Sequence, residues 1–294
     1  MIIQSLSIVV PNKKCINSCE FCVSRMNVSN YPNMMDENLP FYDLYEKDYI
    51  KRLEFARDNG CNTIMLTGDS EPQQNRKFLQ RFGTMNSNLS NPFKWIEMQT
   101  TGVMLDEPYL RFLRNHVGVN TISLSLSSLD DFTNGLYNKT PNNLVINIKD
   151  LCAKIKKYDF NLRLSLNLTD YYNFLKFGSD VNQLLFLLKN EYLADQVTFR
   201  VFYTSQEDSP QNKWIKEHKC KDEIISLINN YIIANSTPLE ILPFGATKYS
   251  THGMSIVIDN DCMSKEVKNG YKYLILRENC KLYSQWDDSG SLIF

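Results

Sequence analysis

The sequence has almost no net charge and no long apolar run. Its 294 residues carry 32 Lys and Arg against 33 Asp and Glu, which gives a formal charge of -1. A chain without excess positive charge has no overall field that attracts nucleic acid or an anionic membrane surface. No apolar stretch reaches the roughly 20 residues of a membrane-spanning helix, and the start lacks the features of a secretory signal. We therefore expect a cytoplasmic protein without a membrane or nucleic-acid partner.

Histidine is scarce, and the cysteines are unevenly spaced. The chain has three His and eight Cys and is far longer than a disulfide-stapled miniprotein, so most of its thiols are expected to be reduced. Cys15, Cys19 and Cys22 stand apart because they share one short segment. The other cysteines are too widely spaced for a second dense ligand loop, although an auxiliary cluster is the alternative: Cys61, Cys152, Cys220, Cys262 and Cys280.

Strand-like runs alternate with helical stretches along most of the chain. The apolar patterns predict strands at residues 4–10, 63–67, 94–99, 119–127, 161–168 and 196–202. They predict helices at residues 42–59, 73–85, 107–115, 142–158 and 181–192, and a broken pair between 210 and 234. Six β-α units in a row predict a parallel sheet, because parallel strands need crossover helices. A smaller β-rich tail is predicted from runs at residues 239–242, 255–259, 271–276 and 281–286.

One face of the predicted parallel strands is polar, which is unusual for a sheet covered by helices. Serine or another polar residue alternates with leucine at residues 121–127 and 161–168, and a similar alternation occurs at residues 94–99 and 197–201. A period of two places the polar residues on one side of each strand. Buried polar groups need partners, so this face is expected to line a lumen that holds a ligand. An antiparallel sheet with one wet face is the alternative. We predict an α/β fold, a partial (β/α)6 barrel.

Three cysteines occupy one loop directly after the first predicted strand, with the spacing Cys15-x3-Cys19-x2-Cys22. Three thiolates from one loop can hold three irons of a cubane cluster and leave the fourth iron an open coordination position. A structural zinc site is the alternative. A structural zinc site needs a fourth ligand, and the nearest histidine in the sequence, His116, is far away.

This loop resembles the Cys-x3-Cys-x2-Cys motif of the radical S-adenosylmethionine (SAM) superfamily. In that motif an aromatic residue commonly precedes the last cysteine, as Phe21 does here. The resemblance implies a TIM-like partial barrel and a [4Fe–4S] cluster on Cys15, Cys19 and Cys22, with the methionine part of SAM on the open iron. It also implies reduction by a low-potential donor such as flavodoxin or ferredoxin, cleavage of SAM to methionine and a 5′-deoxyadenosyl radical, and sensitivity to oxygen.

A turn after the second predicted strand resembles another motif of the same family. Residues 68–72, Gly-Asp-Ser-Glu-Pro, are similar to the Gly-Gly-Glu-Pro turn that holds the methionine amino group. The resemblance implies cofactor contacts for Gly68, Asp69, Ser70 and Glu71. One extra residue separates Gly68 from Glu71, and Ser70 stands where the second glycine is usual, so the turn has less freedom to adopt a positive φ. An acidic start of the next helix is the alternative interpretation.

The polar strand positions correspond to the family's remaining cofactor contacts. Residues 97–102 resemble the third-strand end that lies beside SAM, which implies a contact for Gln99. Positions that contact the ribose or the methionine carboxylate in the family match Ser123, Ser125, Arg163, Ser165 and Asn167. A guanidinium offers bidentate donors, so Arg163 is expected to pair with the carboxylate. The resemblance extends to about residue 244. We predict a core barrel at residues 1–244 and a C-terminal β extension at residues 245–294 that covers it.

Two further residues are substrate candidates. Arg200 is expected to point into the lumen beside Arg163, and one cofactor carboxylate does not need both. Arg200 therefore indicates a small, anionic substrate, with an ion pair to Glu97 as an equal alternative. His252 lies in a loop and is a second candidate. The sequence predicts a radical SAM enzyme that abstracts hydrogen from a small molecule. A peptide- or protein-modifying enzyme and a non-catalytic iron-sulfur or metal-sensing protein are the alternatives.

Overall fold

The computed structural model describes residues 2–22, 44–204, 208–242, 245–260, 266–267, 270–286 and 290–294. The predicted start of the first helix at residue 42 and Cys262 lie outside these ranges.

Six parallel strands form the centre of one sheet. They are β1 (Ile2–Val9), β2 (Thr63–Thr67), β3 (Trp95–Thr100), β4 (Thr121–Leu126), β5 (Asn161–Asn167) and β6 (Gln196–Arg200). The strands lie side by side in this order, and each neighbouring pair is parallel. The α/β architecture expected from the alternating pattern is confirmed.

Helices connect these strands. They are α1 (Glu46–Asp58), α2 (Arg76–Ser87), α3 (Glu107–Phe112), α4 (Asp131–Asn138), α5 (Ile148–Lys157), α6 (Gly178–Asn190), α7 (Pro210–His218) and α8 (Asp222–Asn235). The apolar stripe of α5 shows how they pack. Ile148, Leu151, Cys152 and Ile155 recur at helical spacing and are all buried. These residues belong to the same core cluster as the outward-facing leucines of β4 and β5.

Two helices differ from the sequence-based expectation. The predicted helix at residues 142–158 contains only α5, because a 3-10 turn, Asn142–Leu144, and an extended residue, Val145, precede it. Helix α4 was not predicted. Its short sequence holds a glycine and two asparagines, which are weak helix formers, and it begins because the Asp130 side chain accepts a hydrogen bond from Thr133 N.

The strands after β6 join the same sheet at both sides. On one side β9 (Met254–Asp259) pairs in parallel with β6, followed outward by β8 (Thr247–Thr251) and β7 (Thr237–Ile241). On the other side β11 (Gly270–Leu276) pairs in parallel with β1 and antiparallel with β10 (Glu266–Val267) and β12 (Leu282–Tyr283). The domain boundary at residue 244 stays a prediction.

The sheet curves into an open barrel. Lys272 Nζ on β11 lies 3.3 Å from Asp259 Oδ1 on β9, and both side chains are mostly buried. Since β11 and β9 flank opposite ends of the six central strands, this contact requires the two sides of the sheet to approach each other. The concave face therefore encloses a lumen. Among the described residues, no helix has the length and apolar character needed to cross a membrane.

Candidate functional site

A cavity of about 770 Å³ fills the concave face of the sheet. Most of the residues singled out from the sequence line it: Cys15, Cys19, Cys22, Gly68, Asp69, Ser70, Glu71, Gln99, Ser123, Ser125, Arg163, Asn167 and Arg200. Ser165 lies on the same face of β5 as Arg163 and Asn167, and its hydroxyl is buried without a hydrogen-bond partner among the described residues. Segments that are distant in the sequence thus meet around one space.

Three different segments hold the cysteine loop in place. Ile16 N donates to Gln74 Oε1 at 2.8 Å, and the buried Asn17 amide donates to Thr101 Oγ1 at 2.7 Å. Ser18 N donates to Asn138 O at 3.2 Å. Because these contacts come from the segments that follow β2, β3 and β4, the carboxyl edge of the sheet fixes the position of the cysteines.

None of the three cysteines forms a disulfide bond with another described residue, and all three are partly buried. Burial raises the pKa of the Cys15 thiol to about 12, and the nearby negative charge of Glu71 adds to this. A bare thiolate is therefore unfavourable here, and iron cations would reverse that balance. Among the described side chains, no three His, Cys, Asp or Glu groups converge as ligands of a single metal ion. A cubane cluster instead takes one thiolate on each of three irons, which fits three soft donors spread along a loop.

The carboxyl group of Glu71 joins three of the sequence motifs. Its Oε1 accepts a hydrogen bond from Thr100 Oγ1 at 2.5 Å, and its Oε2 accepts from Thr101 N at 2.9 Å and Thr101 Oγ1 at 2.7 Å. The Thr101 hydroxyl also accepts the bond from Asn17 of the cysteine loop. Burial raises the pKa of Glu71, and these hydrogen bonds act in the opposite direction. The residue 68–72 turn, the end of β3 and the cysteine loop are therefore one connected unit.

The residue 68–72 turn lies very close to the backbone of the first strand. A Cβ atom on Gly68 would sit 3.2 Å from Val10 O and 3.3 Å from Val10 N, so glycine allows this approach. Ser70 is not among the described residues with positive φ. The serine in place of the family's second glycine therefore costs this turn no backbone strain.

Helix α4 links the cysteine loop to the polar strand ends. Asn138, at its last position, accepts hydrogen bonds from Ser18 N and, at 3.4 Å, from Cys19 Sγ through its backbone oxygen. Its side-chain oxygen accepts from Ser127 Oγ at 3.2 Å. The Asn167 amide donates to the same serine hydroxyl at 3.2 Å. A chain of polar contacts thus runs from Cys19 to the carboxyl end of β5.

Arg163 is held within the sheet. Its Nη1 lies 2.5 Å from Glu97 Oε2, and its Nε and Nη2 both donate to Gln196 Oε1, at 2.8 and 2.6 Å. Gln99 Nε2 donates to the other Glu97 oxygen at 3.2 Å. Glu97 is therefore the partner of Arg163, which corrects the alternative that Glu97 neutralises Arg200. A contact between Arg163 and a cofactor carboxylate stays a prediction.

Arg200 and His252 differ in their relation to the cavity. The Arg200 guanidinium makes no hydrogen bond or ion pair within the part of the chain that the structure describes, and its Nε is buried. His252 lies in the turn between β8 and β9, where its Nε2 is 3.0 Å from Asn182 Oδ1 of α6. It is not among the residues that line the cavity, so the substrate role expected for His252 is not carried further.

A buried ion pair joins the residue 68–72 turn to the C-terminal strands. Arg277 Nη1 lies 3.1 Å from Asp69 Oδ2, and both side chains are less than a tenth exposed, at 9% and 8%. Arg277 Nη2 also donates to Trp286 O at 2.6 Å, and the guanidinium lies over the Trp286 and Tyr283 rings. The Asp69 carboxylate thus attaches the residue 68–72 turn to the C-terminal strands through Arg277. Its contact with SAM stays a prediction.

The neighbouring Glu278 is expected to make stability depend on pH. Burial and the charge of Asp69 raise the pKa of Glu278 from 4.5 to about 8. A carboxyl whose folded pKa lies above its unfolded value favours folding at low pH, and that contribution is lost as the pH rises from about 5 to about 8. Glu278→Gln should remove this part of the pH dependence and be the more stable protein at the upper end. Urea unfolding across this range tests it, and parallel curves for the two proteins would refute it.

The sequence did not reveal Thr100, Thr101, Asn138 or Arg277 as part of the site. Thr100 ends β3 and Thr101 follows it, at the edge where the other motifs end, and this position was the available signal. Asn138 was missed together with α4. Arg277 comes close to Asp69 only because β11 pairs with β1, a contact between distant parts of the chain.

Comparison with known families and solved structures shows which proteins this chain is similar to. The family model described as the Radical SAM superfamily matches residues 9–172. The structure of SuiB from Streptococcus suis bound to S-adenosylmethionine is similar, with a TM-score of 0.59 and 14% identity over 96% of this chain and 60% of that chain. Native anSMEcpe with bound AdoMet gives a TM-score of 0.54 and 16% identity over 79% of this chain and 61% of that chain.

A third similar structure is coproporphyrinogen III oxidase (HemN) from Escherichia coli, itself a radical SAM enzyme. It has a TM-score of 0.53 and 13% identity over 79% of this chain and 52% of that chain. The chain therefore spans about 60% of the length of SuiB and anSMEcpe and about half of HemN. At such low identity these likenesses show the fold. No curated protein matches the sequence.

Since the matched family model spans more than half of the chain and includes the cysteine loop, this chain belongs to the radical SAM superfamily of enzymes, which use a [4Fe–4S] cluster and SAM.

Proposed function

We propose that Cys15, Cys19 and Cys22 hold the [4Fe–4S] cluster and that this chain reductively cleaves SAM in order to abstract hydrogen from a small, anionic substrate. The observation that carries the proposal is the Glu71 carboxyl, which ties the cysteine loop, the residue 68–72 turn and the end of β3 into one unit beside the cavity. When bound and reduced by an external low-potential donor such as flavodoxin or ferredoxin, cluster and cofactor supply an organic radical.

Buried hydroxyl groups without hydrogen-bond partners among the described residues support a cofactor bound in the cavity. Ser70 Oγ and Ser165 Oγ are buried and make no hydrogen bond within the described chain. An unsatisfied buried polar group costs roughly 1–3 kcal/mol, and a polar ligand that bonds to it recovers this energy. Both serines were assigned to the cofactor by their resemblance to family positions. Ser70 also lines the cavity, so its unpartnered hydroxyl fits a hydroxyl- and carboxylate-bearing ligand such as SAM.

Glu71 is suited to hold the methionine amino group. Its carboxyl accepts hydrogen bonds from neutral donors of Thr100 and Thr101, and no cation among the described residues pairs with it. An ammonium group placed beside it would favour the ionised carboxylate and offset the effect of burial. The threonines orient the carboxyl before the ligand arrives. We therefore assign the orientation of the Glu71 carboxyl to Thr100 and Thr101, and the charge pairing with the methionine amino group to Glu71.

The charges that line the cavity support an anionic substrate. Three cations in the lining are ion-paired: Arg163 with Glu97, Lys248 with Glu240 at 3.0 Å, and Lys272 with Asp259 at 3.3 Å. The Arg200 guanidinium has no such partner among the residues described. A planar guanidinium is well suited to bind carboxylate or phosphate. Arg200 is therefore the group that we assign to the substrate.

Electron paramagnetic resonance of the reduced, anaerobically reconstituted protein tests the cofactor assignment. Binding of SAM at the open iron should change the spectrum of the reduced cluster, whereas adenosine, which lacks the amino and carboxylate groups, should leave it unchanged. A cluster spectrum that is identical with and without SAM would count against the proposal.

A Glu71→Gln variant sharpens this test. Losing a charge-assisted contact worth roughly 1.5–3 kcal/mol should weaken SAM binding about 10- to 100-fold, as followed by the same spectral change. The iron content should stay that of the unchanged protein, because Glu71 is not assigned to the cluster. An unaltered affinity for SAM would remove Glu71 from the proposed contact set.

A further inference from the structure

The lumenal face of β11, β1 and β2 carries an apolar patch, next to which Ser5, Ser7, Thr63 and Thr67 also line the cavity. Val9, Tyr273, Ile275 and Tyr283 form a buried cluster separate from the main core, and Met65 and Trp286 pack against it. The main core lies on the other face of these strands, where Leu6 and Leu274 are register partners. Met65, Tyr273 and Trp286 also line the cavity. On this side the lumen therefore presents a patch of one thioether and two aromatic rings.

The opposite wall, formed by β5, β6 and β9, carries charged and polar side chains among valines. Asn167, Arg200 and Asp259 are successive register partners across these three strands. Arg200 and Asp259 both line the cavity, yet no ion pair joins them. Asp259 instead pairs with Lys272. The guanidinium charge therefore faces the lumen beside a carboxylate that already has a partner.

The two walls meet at the Lys272–Asp259 ion pair. Lys272 Nζ lies 3.3 Å from Asp259 Oδ1 and 6.0 Å from the centre of the Tyr273 ring. Asp259 is in turn the register partner of Arg200, and adjacent strands lie about 4.7–4.9 Å apart. Tyr273 and Arg200 thus flank the same ion pair. A single small molecule can reach from the aromatic wall to the guanidinium.

We propose that the substrate is an amphipathic anion, with a flat apolar or aromatic body that packs against Met65, Tyr273 and Trp286 and an anionic group that binds Arg200. This inference rests on the proposed function and specifies its substrate class. The substrate would share the cavity of about 770 Å³ with SAM, so it has to be a small molecule. A small inorganic anion alone would leave the aromatic wall in contact with water, so the body of the ligand contributes to binding.

Calorimetry with three probes on the anaerobically reconstituted protein tests this assignment. The probes are 2-naphthalenesulfonate, with body and charge, 2-naphthalenemethanol, with the body alone, and methanesulfonate, with the charge alone. We expect 2-naphthalenesulfonate to bind about 10- to 100-fold more tightly than either partial probe, because the apolar contact and the charge-assisted contact act together. Equal binding of the three probes would overturn the proposal.

Variants separate the two walls. Arg200→Met should weaken 2-naphthalenesulfonate about tenfold or more and leave 2-naphthalenemethanol unchanged, whereas Trp286→Ala should weaken both naphthyl probes. Phe186→Ala, an exposed ring outside the cavity lining, and Lys51→Met, an exposed lysine on α1, are the matched controls and should change neither. Binding of 2-naphthalenesulfonate that survives both cavity substitutions overturns the site.

The outcome is independent of the cofactor assignment. A SAM-dependent cluster spectrum without selective probe binding would retain the proposed function and overturn the amphipathic pocket. Selective probe binding that Arg200→Met and Trp286→Ala each weaken, without any spectral response to SAM, would support the pocket and overturn the proposed function instead.

Discussion

Replacing Cys19 by Ala is expected to reduce the iron bound after anaerobic reconstitution from about four per chain to a minor fraction of that. Its sulfur lies 3.4 and 3.8 Å from the backbone and side-chain oxygens of Asn138. Neutral oxygens are poor replacements for a thiolate on iron. The cluster would therefore lose one of its three protein ligands without a substitute. Iron and sulfide assays together with visible absorption measure the loss.

Cys61→Ala is the matched control for this experiment. Cys61 is buried just before the amino end of β2, whereas the cysteine loop lies at the carboxyl edge of the sheet. Its thiol donates to Thr63 O at 3.3 Å. This variant should bind as much iron as the unchanged protein. Iron retained by Cys19→Ala, or lost equally by Cys61→Ala, would show that the loop does not carry the cluster.

Arg277→Met is expected to destabilise the protein by roughly 3–5 kcal/mol, because it leaves the Asp69 carboxylate buried without its partner. The same change frees the residue 68–72 turn from the C-terminal strands, so SAM binding should weaken as well. Urea unfolding followed by circular dichroism gives the stability, and the SAM-dependent cluster spectrum gives the second effect.

Two further variants control for the loss of the guanidinium. Combining Arg277→Met with Asp69→Asn removes both charges, so the double variant should lose less stability than the two single losses added together. Lys51→Met removes an exposed ammonium that lies 3.5 Å from Asp48 and should change stability little. An Arg277→Met protein as stable as Lys51→Met would mean that the buried pair does not hold the turn.

The strands and the cavity face could be predicted because both leave a local pattern. In β4, Ile122, Leu124 and Leu126 are buried against the helices, while Ser123 and Ser125 face the cavity. This alternation can be read directly from consecutive residues of the sequence. Helix α4 left no comparable apolar period, so Asn138 and its contact with the cysteine loop were not predicted.

Contacts between distant segments could not be predicted in the same way. The sequence places Arg163 in the lumen but does not show that Glu97 and Gln196, on strands at either side, would share its guanidinium. It likewise could not show that Arg277 would reach Asp69, because that contact depends on β11 pairing with β1. Side-chain direction followed from a period of two, whereas partner choice depended on the assembled sheet.

The most direct test of the account is the formation of 5′-deoxyadenosine. The reconstituted protein, reduced without oxygen in the presence of SAM, should release 5′-deoxyadenosine and methionine. A variant with Cys15, Cys19 and Cys22 all replaced by Ala should release neither above background. If the unchanged protein assembles its cluster but forms no 5′-deoxyadenosine, or if the triple variant forms as much, the assignment of SAM cleavage to this loop is contradicted.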